Sequence, residues 1–245
     1  MIYKTRGIVL HHIKYSETSV IAKIYTELFG LQSYLINGVR RQKAKVKANL
    51  LQPLSLVDMI VYHKEKKGLQ RIRDVSGNPP LSSIPYDFPK SSVALFIAEI
   101  LYKSIREEEA NTNLFEFLFH SIQKLDITTG NCANFHLFFM LQLTKYLGFY
   151  PNRKYSGKFN FFDLREGVFS EKQPEHPNFI SPPLCVYIDM LSETSFEKLN
   201  QISISPEHRK RLLEHLIEYY ELHLPNMKNI KSHLVLETIM NDMLA

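Results

Sequence analysis

The chain has 245 residues, of which 44% are hydrophobic and 22% are charged, and its formal net charge is +5. This balance is typical of one or two globular domains and excludes an intrinsically disordered chain. The apolar runs are far shorter than the roughly 18 residues of a membrane span, and the N-terminus lacks an apolar signal region. Two cysteines, Cys132 and Cys185, are too few for a disulfide scaffold and indicate reduced thiols. These features predict a cytoplasmic protein.

Charge is distributed unevenly along the chain. Residues 1–80 contain 14 Lys/Arg and 5 Asp/Glu, a formal charge of +9. Residues 81–245 contain 16 Lys/Arg and 20 Asp/Glu, a formal charge of −4. This split predicts that the first segment binds a polyanion and that the second has a different role.

The first segment has the alternating pattern of half-buried β-strands. Five runs show it, at residues 2–13, 19–26, 31–37, 54–63 and 69–75. Since the longest connection follows the third run, we predict a small closed five-stranded β-barrel of the OB type. An SH3-like barrel would give a similar pattern and remains an alternative.

Helical periodicity dominates the second segment. Proline and glycine at residues 76–90 predict a linker before it. We expect apolar helical stripes at 93–105, 114–125 and 135–147, and further helices from about 183, from Ser205-Pro206 and over about 229–243. Residues 148–181 lose this pattern, and 158–170 predict a hairpin. The predicted fold class is therefore multi-domain α+β, with a barrel domain at 1–80 and a mostly helical domain at 81–245 that carries a small irregular insertion at about 148–181.

Common catalytic motifs are missing from the sequence. It has no glycine-rich phosphate loop, no Gly-x-Ser-x-Gly elbow and no His-Glu-x-x-His. Neither the pair His208 and His215 nor His11-His12 has a spacing that favours joint metal binding. We therefore predict no catalytic residue, no cofactor and no metal, although two carboxylates that meet only in space would leave a nuclease as an alternative.

A dense group of cations follows the third predicted strand, between Gly38 and Lys47. Its members are Arg40, Arg41, Lys43, Lys45 and Lys47. Neighbouring segments contribute Lys14, Lys64, Lys66, Lys67, Arg71 and Arg73. Cations on a rigid frame suit phosphates, and strand tyrosines suit unstacked bases, with Tyr15, Tyr34 and Tyr62 as candidates. This pattern predicts a DNA-binding surface; a solvated loop with tyrosines packed into the core is the alternative.

Five motifs occur in order along residues 1–75. They are Thr5-Arg6-Gly7-Ile8-Val9-Leu10, Tyr15-Ser16-Glu17-Thr18-Ser19, Tyr25-Thr26-Glu27-Leu28-Phe29-Gly30-Leu31, Gly38-Val39-Arg40-Arg41 and Leu51-Gln52-Pro53-Leu54. Together they resemble the N-terminal region of the RecO family of bacterial recombination-mediator proteins. Beyond residue 90 the resemblance lies mainly in architecture and length, although Leu147-Gly148-Phe149-Tyr150-Pro151 is similar to the segment that leads into the family's zinc hairpin.

The resemblance implies an OB fold followed by a helical domain, and a non-enzymatic role in DNA repair at the nucleoid. RecO-like proteins of the RecFOR pathway bind single- and double-stranded DNA and anneal complementary strands. They engage the acidic C-terminal tail of single-strand-binding protein and, with RecR, help to load RecA onto coated DNA. Family DNA contacts around the basic segment carry over best to Arg40 and Arg41; Lys43, Lys45 and Lys47 follow from charge and position.

Two features of the second segment qualify the resemblance. Many relatives bind zinc through four cysteines in the hairpin, but residues 148–181 contain none. His176 and Cys185 cannot replace four ligands, so we predict no zinc and expect aromatic packing by Phe159, Phe161, Phe162 and Phe169 instead. The family places the tail of single-strand-binding protein on the helical domain, where Arg209-Lys210-Arg211 is one candidate rim and a solvated helix face is the alternative.

Three other functions stay open at the level of sequence. An RNA-binding OB protein would prefer RNA through its 2′-hydroxyl groups. A scaffold would use the basic surface to hold an acidic protein. A nuclease would cleave DNA through the unidentified carboxylates mentioned above.

Overall fold

The computed structural model describes the chain in five ranges: residues 1–39, 46–65, 67–152, 157–158 and 160–242. The chain folds into two compact units, Met1–Ile127 and Thr128–Ala245. The first unit contains a closed β-barrel followed by two helices, and the described part of the second contains four helices and a small sheet. The predicted α+β fold class is confirmed. The predicted domain boundary at residue 80 stays a prediction.

The barrel consists of five strands. They are β1 Ile2–Lys14, β2 Val20–Thr26, β3 Gly30–Ile36, β4 Leu56–Tyr62 and β5 Gln70–Gly77. The strands close in the order β1-β2-β3-β5-β4, in which β3 and β5 are parallel and the other pairs are antiparallel. This is the order of a five-stranded OB-type barrel, so that prediction, rather than the SH3-like alternative, is confirmed.

Side chains of alternate strand positions fill the barrel. Ala22 on β2 lies opposite Tyr34 on β3, and both are fully buried. Gly7 on β1 is surrounded so closely that an added Cβ would lie 2.8 Å from side-chain atoms of both Ile24 and Met59. The interior is therefore a packed core rather than a channel.

An ion-pair cluster joins the second helix of this unit to the barrel. The two helices are α1 Phe88–Ser104 and α2 Thr112–Ile127. Arg6 on β1 bonds Glu27 at 2.8 Å and also bonds Glu116 on α2. Its guanidinium carbon lies 5.0 and 4.9 Å from the ring centroids of Phe115 and Phe119. Arg6 thus holds α2 against the barrel, although it is one of the cations that make up the +9 charge of residues 1–80.

A carboxylate near the end of α2 fixes the connection between barrel and helices. The N–H groups of Ser83 and Ile84 donate to Asp126 Oδ1 at 2.8 Å, and the N–H of Ser82 donates to Oδ2 at 2.8 Å. Lys90 Nζ donates to the carbonyl oxygen of Asp126 at 2.9 Å. The segment that the sequence predicts as a linker is therefore held by specific hydrogen bonds.

Asp126→Asn tests this clamp. Burial alone would raise the pKa of the Asp126 carboxyl, but backbone hydrogen bonds from Ser82, Ile84 and Ser83 outweigh burial and lower its pKa. A carboxyl with a depressed pKa in the folded state stabilises the fold above its unfolded-state pKa, and this stabilisation is lost as pH falls through the folded pKa. We expect the variant to lose about 2 kcal/mol of unfolding free energy at neutral pH.

The difference between wild type and Asp126→Asn should begin to shrink as pH falls below about 4, where the carboxyl of the unfolded wild type takes up a proton. It should disappear once pH has fallen through the lower pKa of the folded state. Urea unfolding curves at neutral and acidic pH measure it. A deficit that stays constant across this pH range would contradict the clamp.

The second unit combines four helices with a small sheet. These elements are α3 Phe135–Leu147, α4 Leu184–Glu193, α5 Pro206–His223, α6 Ser232–Asp242, β6 Phe161–Asp163, β7 Val168–Ser170 and β8 Phe179–Ile180. As predicted, the Ser205 side chain caps α5, where it accepts from the N–H of His208, and Pro206 is the first helical residue. No helix in the described ranges is long and apolar enough to span a bilayer.

Two sequence predictions in this unit need correction. The last helix begins at Ser232, not at 229, because Asn229 has a φ of +61°, which is incompatible with a right-handed helical turn. The predicted hairpin is present as β6 and β7, but β8 pairs with the other edge of β6 and completes a three-stranded sheet. A two-residue strand carries too little pattern to be recognised in sequence.

Candidate nucleic-acid interface

The basic segment after β3 is anchored to the barrel at both ends. Gly38 turns the chain with a φ of +74°, a conformation that glycine adopts at little cost. Val39 and Val46 are 6% and 7% exposed and belong to the barrel core cluster with Val20. Residues 40–45 lie outside the described residues, and with them the predicted DNA contacts Arg40, Arg41, Lys43 and Lys45.

Strand register fixes where two other predicted contacts lie relative to the end of β3. Lys14 on β1 lies opposite Val20, which lies opposite Ile36 at the end of β3. On the other side of β3, Leu35 lies opposite Arg71 on β5. Lys14 and Arg71 are both exposed. Arg71 therefore lies on the strand next to β3, whereas Lys14 lies two strands away on β1, about 10 Å from the end of β3 at about 4.8 Å per strand.

The remaining two predicted contacts, Lys47 and Arg73, are also exposed. Lys47 directly follows the buried anchor Val46, so its backbone is held at the end of the basic segment. Arg73 is the additional residue of a β-bulge, because the register between β4 and β5 shifts between Ile60 and Val61. A bulge redirects the side chains of its strand. Among the described candidates, Lys47 and Arg71 border the basic segment most directly, Lys14 lies two strands away on β1, and Arg73 lies further along β5.

The three candidate tyrosines have different surroundings. Tyr15 is 60% exposed and Tyr62 is 42% exposed, so both have an accessible ring face. Tyr34 is fully buried, and its proposed role in base stacking is wrong. Tyr34 faces the interior because alternate residues of β3 point inward, and its small partner Ala22 leaves room for the ring. Burial also raises the pKa of the Tyr34 hydroxyl, which keeps it neutral.

A buried glutamine organises the turn between β4 and β5. Gln70, only 2% exposed, accepts a hydrogen bond from the N–H of Lys64 at 3.0 Å. Its amide donates to the carbonyl oxygens of Lys64 and Lys67 at 2.9 and 2.7 Å. The side chains of both lysines are exposed. Sequence analysis missed Gln70. The available signal was a polar residue at the start of a strand, two positions after the turn glycine Gly68.

The same turn borders an open cavity of about 380 Å³. Its lining consists of Tyr62, Lys64, Lys67, Leu69, Gln70 and Arg71. Arg71 lies directly opposite Tyr62 in the ladder between β4 and β5, so both side chains project from the same face of the sheet. This combination of an aromatic ring with three cations can bind an anionic ligand that also has an aromatic part.

Two family models match the chain. The model of the recombination protein O N-terminal domain covers residues 1–78, and the model of the C-terminal domain covers residues 85–232. The chain belongs to the RecO family. The resemblance noted in the first 75 residues is thereby confirmed and extends over the second segment.

Curated relatives named DNA repair protein RecO agree with this assignment. The protein of Bacteroides fragilis is 40% identical over 240 residues, which cover 98% of this chain and 99% of the relative. The protein of Flavobacterium psychrophilum is 37% identical over 238 residues, 96% of this chain and 98% of the relative. That of Porphyromonas gingivalis is 33% identical over 243 residues, 98% and 99% of the two chains. The chain is thus a RecO-family member related to DNA repair proteins over nearly its whole length.

The hairpin that carries zinc in many RecO-family proteins has a packed aromatic layer here. Phe162 and Phe169 are buried with ring centroids 4.9 Å apart, and Phe162 also packs on Tyr219 at 5.6 Å. Phe161, half-buried, contacts Phe179 at 5.5 Å. Phe159 lies outside the described residues. Buried aromatic pairs of this kind stabilise a small hairpin without a metal ion.

The two candidate zinc ligands have other partners. Cys185 is buried and donates weakly to the carbonyl oxygen of Asn160 at 3.7 Å, and its burial raises the pKa of the thiol. Nε2 of His176 lies 3.1 Å from Asp163 Oδ2. Across the described ranges, no group of three or more His, Cys, Asp and Glu is arranged to hold a metal ion. The absence of zinc stays a prediction, and about one mole of tightly bound zinc per mole of purified chain would contradict it.

One residue of the candidate rim on α5 is not available to a partner. Arg209 is 7% exposed; its Nε donates to Asn134 Oδ1 at 3.1 Å and its guanidinium donates to the carbonyl oxygen of Ile204 at 3.0 Å. Lys210 and Arg211 are exposed. Arg209 therefore stabilises the second unit, and only the other two basic residues of this run face solvent.

Proposed function

We propose that the chain is a non-catalytic, DNA-binding recombination mediator. It binds and anneals single-stranded DNA and helps to load recombinase onto DNA that is coated by single-strand-binding protein. The observation that carries the proposal is the barrel surface around the end of β3, where an anchored segment rich in arginine and lysine has Arg71 on the adjacent strand and Lys14 two strands away on the other side. Membership of a family of DNA repair proteins supports it.

The chemistry of this surface suits annealing. Exposed ammonium and guanidinium groups on a fixed barrel bind phosphates without reading sequence. A strand that is held mainly by its phosphates keeps its base edges free, so a second strand can pair with it. An annealing protein needs this property, since base pairing rather than the protein must select the partner strand.

The second unit is proposed to recruit protein partners. Residues 128–245 contain 12 Lys/Arg and 13 Asp/Glu, a formal charge of −1, so this unit lacks the excess of cations that residues 1–80 offer to DNA. We propose the acidic C-terminal tail of single-strand-binding protein and RecR as partners, in line with family membership, and a cytoplasmic, nucleoid-associated location. Lys210 and Arg211 are exposed cations of the kind that an acidic tail requires.

A salt titration tests the DNA-binding part of the proposal. The dissociation constant of a labelled single-stranded oligonucleotide is measured by fluorescence anisotropy over a range of salt concentrations. If the five cations of the basic segment each contact a phosphate, they should contribute about −3.5 to the slope of log K against log salt, at about −0.7 per contact, and other cations of the barrel surface add to it. A slope near zero would contradict the proposal and favour a protein scaffold. Tighter binding of RNA of the same sequence would favour an RNA-binding protein.

A further inference from the structure

The cavity at the turn between β4 and β5 is a second feature of the barrel, separate in sequence from the basic segment. Tyr62 ends β4 and is 42% exposed. Arg71 lies opposite it near the start of β5, and Leu69 supplies a half-buried apolar contact. Within the described part of the chain, no ion pair occupies the side chains of Lys64, Lys67 or Arg71. The ring and the cations are therefore accessible to a ligand.

The turn is held in place before any ligand arrives. The buried side chain of Gln70 makes three hydrogen bonds of 2.7 to 3.0 Å to the backbone of Lys64 and Lys67. The N–H of Lys67 also donates to the carbonyl oxygen of Lys64 at 3.4 Å. A site with a fixed backbone loses less conformational entropy when it binds. The backbone from which the two lysine side chains extend is thus fixed at the edge of the cavity.

The ligand that fits this chemistry has a flat, aromatic part beside a negative charge. A tyrosine face stacks on a nucleobase of any identity, and a guanidinium opposite the ring adds a planar cation to the same face of the sheet. Two ammonium groups at the rim match phosphates on either side of a single base. In a duplex the faces of the bases are already covered by their neighbours, so only an unpaired base can present its face to Tyr62.

We propose that this cavity is a stacking site for one unpaired nucleobase, with Tyr62 against the base and Lys64, Lys67 and Arg71 on the adjacent phosphates. The inference rests on the proposed DNA-binding function and deepens it, because it assigns to this chain a preference for single strands over duplex. Stacking uses the face of the base and leaves its pairing edge free. A strand held in this way can still anneal.

Abasic DNA separates stacking from phosphate binding. The full-length chain is titrated with a labelled single-stranded oligonucleotide and with an abasic strand of the same length, which has the phosphates but no bases. We expect wild type to bind the normal strand about tenfold more tightly, the effect of one stacked base. Tyr62→Leu should lose this preference and keep its affinity for the abasic strand. Tyr62→Phe should keep the preference, since the ring is retained.

Two further variants define the site. Tyr86→Leu is the matched control, because Tyr86 is 86% exposed in the same unit and does not line this cavity. It should behave as wild type. A variant with glutamine at Lys64, Lys67 and Arg71 should weaken binding of both strands and reduce the salt slope by about 2.

The outcomes separate this inference from the proposed function. Equal affinity of wild type for normal and abasic strands would overturn the stacking site while DNA binding itself stands. The stacking site is also overturned if folded Tyr62→Leu, checked by circular dichroism, keeps the preference. If wild type binds neither strand, the proposed function fails and the inference fails with it. If an acidic peptide binds in a way that depends on Tyr62, and normal and abasic strands bind equally well, the cavity binds protein instead.

Discussion

We expect single-stranded DNA binding to weaken by about a thousandfold, at about 0.1 M salt, when glutamate replaces the five cations of the basic segment. These cations are Arg40, Arg41, Lys43, Lys45 and Lys47. Each phosphate contact on a single strand contributes about 0.7 to the slope of log K against log salt, so five contacts contribute about 3.5. Between about 1 M and about 0.1 M salt these contacts therefore raise log K by about 3.5, and the variant loses this gain. The shallower slope that remains would come from cations on the strands, such as Lys14 and Arg71. Fluorescence anisotropy across a salt series measures both quantities.

A charge-matched variant controls for the overall field of the protein. It carries glutamate at five exposed cations of the second unit: Lys158, Lys172, Lys198, Lys210 and Arg211. Both variants change the formal net charge from +5 to −5. The control should lose less than about tenfold in affinity, because it changes the net charge of the protein but leaves the basic segment intact. Equal losses in the two variants would contradict a localised DNA site.

The second large effect is expected at Gly30, the first residue of β3. Gly30 has a φ of +60°, and an added Cβ would lie 2.5 Å from the carbonyl oxygen of Glu107 and 2.8 Å from the backbone nitrogen of Glu109. The N–H of Leu31 donates to the same Glu107 oxygen at 2.9 Å, which ties the strand to this segment. Backbone atoms cannot move aside as a side chain does. We expect Gly30→Ala to lower the unfolding free energy by about 3 kcal/mol, from backbone strain and overpacking together.

Gly148→Ala separates the two contributions. Gly148 has a φ of +87°, and an added Cβ would meet nothing within 4 Å. This variant therefore carries the strain of a positive φ without a collision, and we expect a loss of about 1 kcal/mol. Each variant is compared with wild type by urea unfolding. Similar losses at the two glycines would show that the segment after α1 does not pack against β3 as described.

Local sequence patterns were sufficient for the five barrel strands and for most of the helices. Period-two alternation in β2 and β3 and the Ser205-Pro206 start of α5 depend on neighbouring residues, and both are confirmed. Local patterns do not show which face of β3 points into the barrel, because both of its faces carry apolar residues. Barrel closure, a long-range property, turns Tyr34 inward beside Ala22, and alternation alone cannot select this face.

The site was only partly accessible to sequence reasoning for the same reason. Charge density identified the basic segment and its neighbours Lys14 and Arg71, but their placement around the end of β3 depends on pairing between distant strands. The support of the β4–β5 turn by Gln70 is another long-range result of burial. Arg209 shows the converse, since a basic residue that the sequence offered as part of a binding rim is engaged in structural contacts.

Annealing of coated DNA tests the central claim most directly. Two complementary oligonucleotides, each coated with the cognate single-strand-binding protein, are mixed with wild type or with the folded five-glutamate variant, and duplex formation is followed over time. The account predicts rapid annealing with wild type and loss of annealing with the variant. If wild type fails to anneal the strands whether or not the coating protein is present, the proposed mediator function is contradicted.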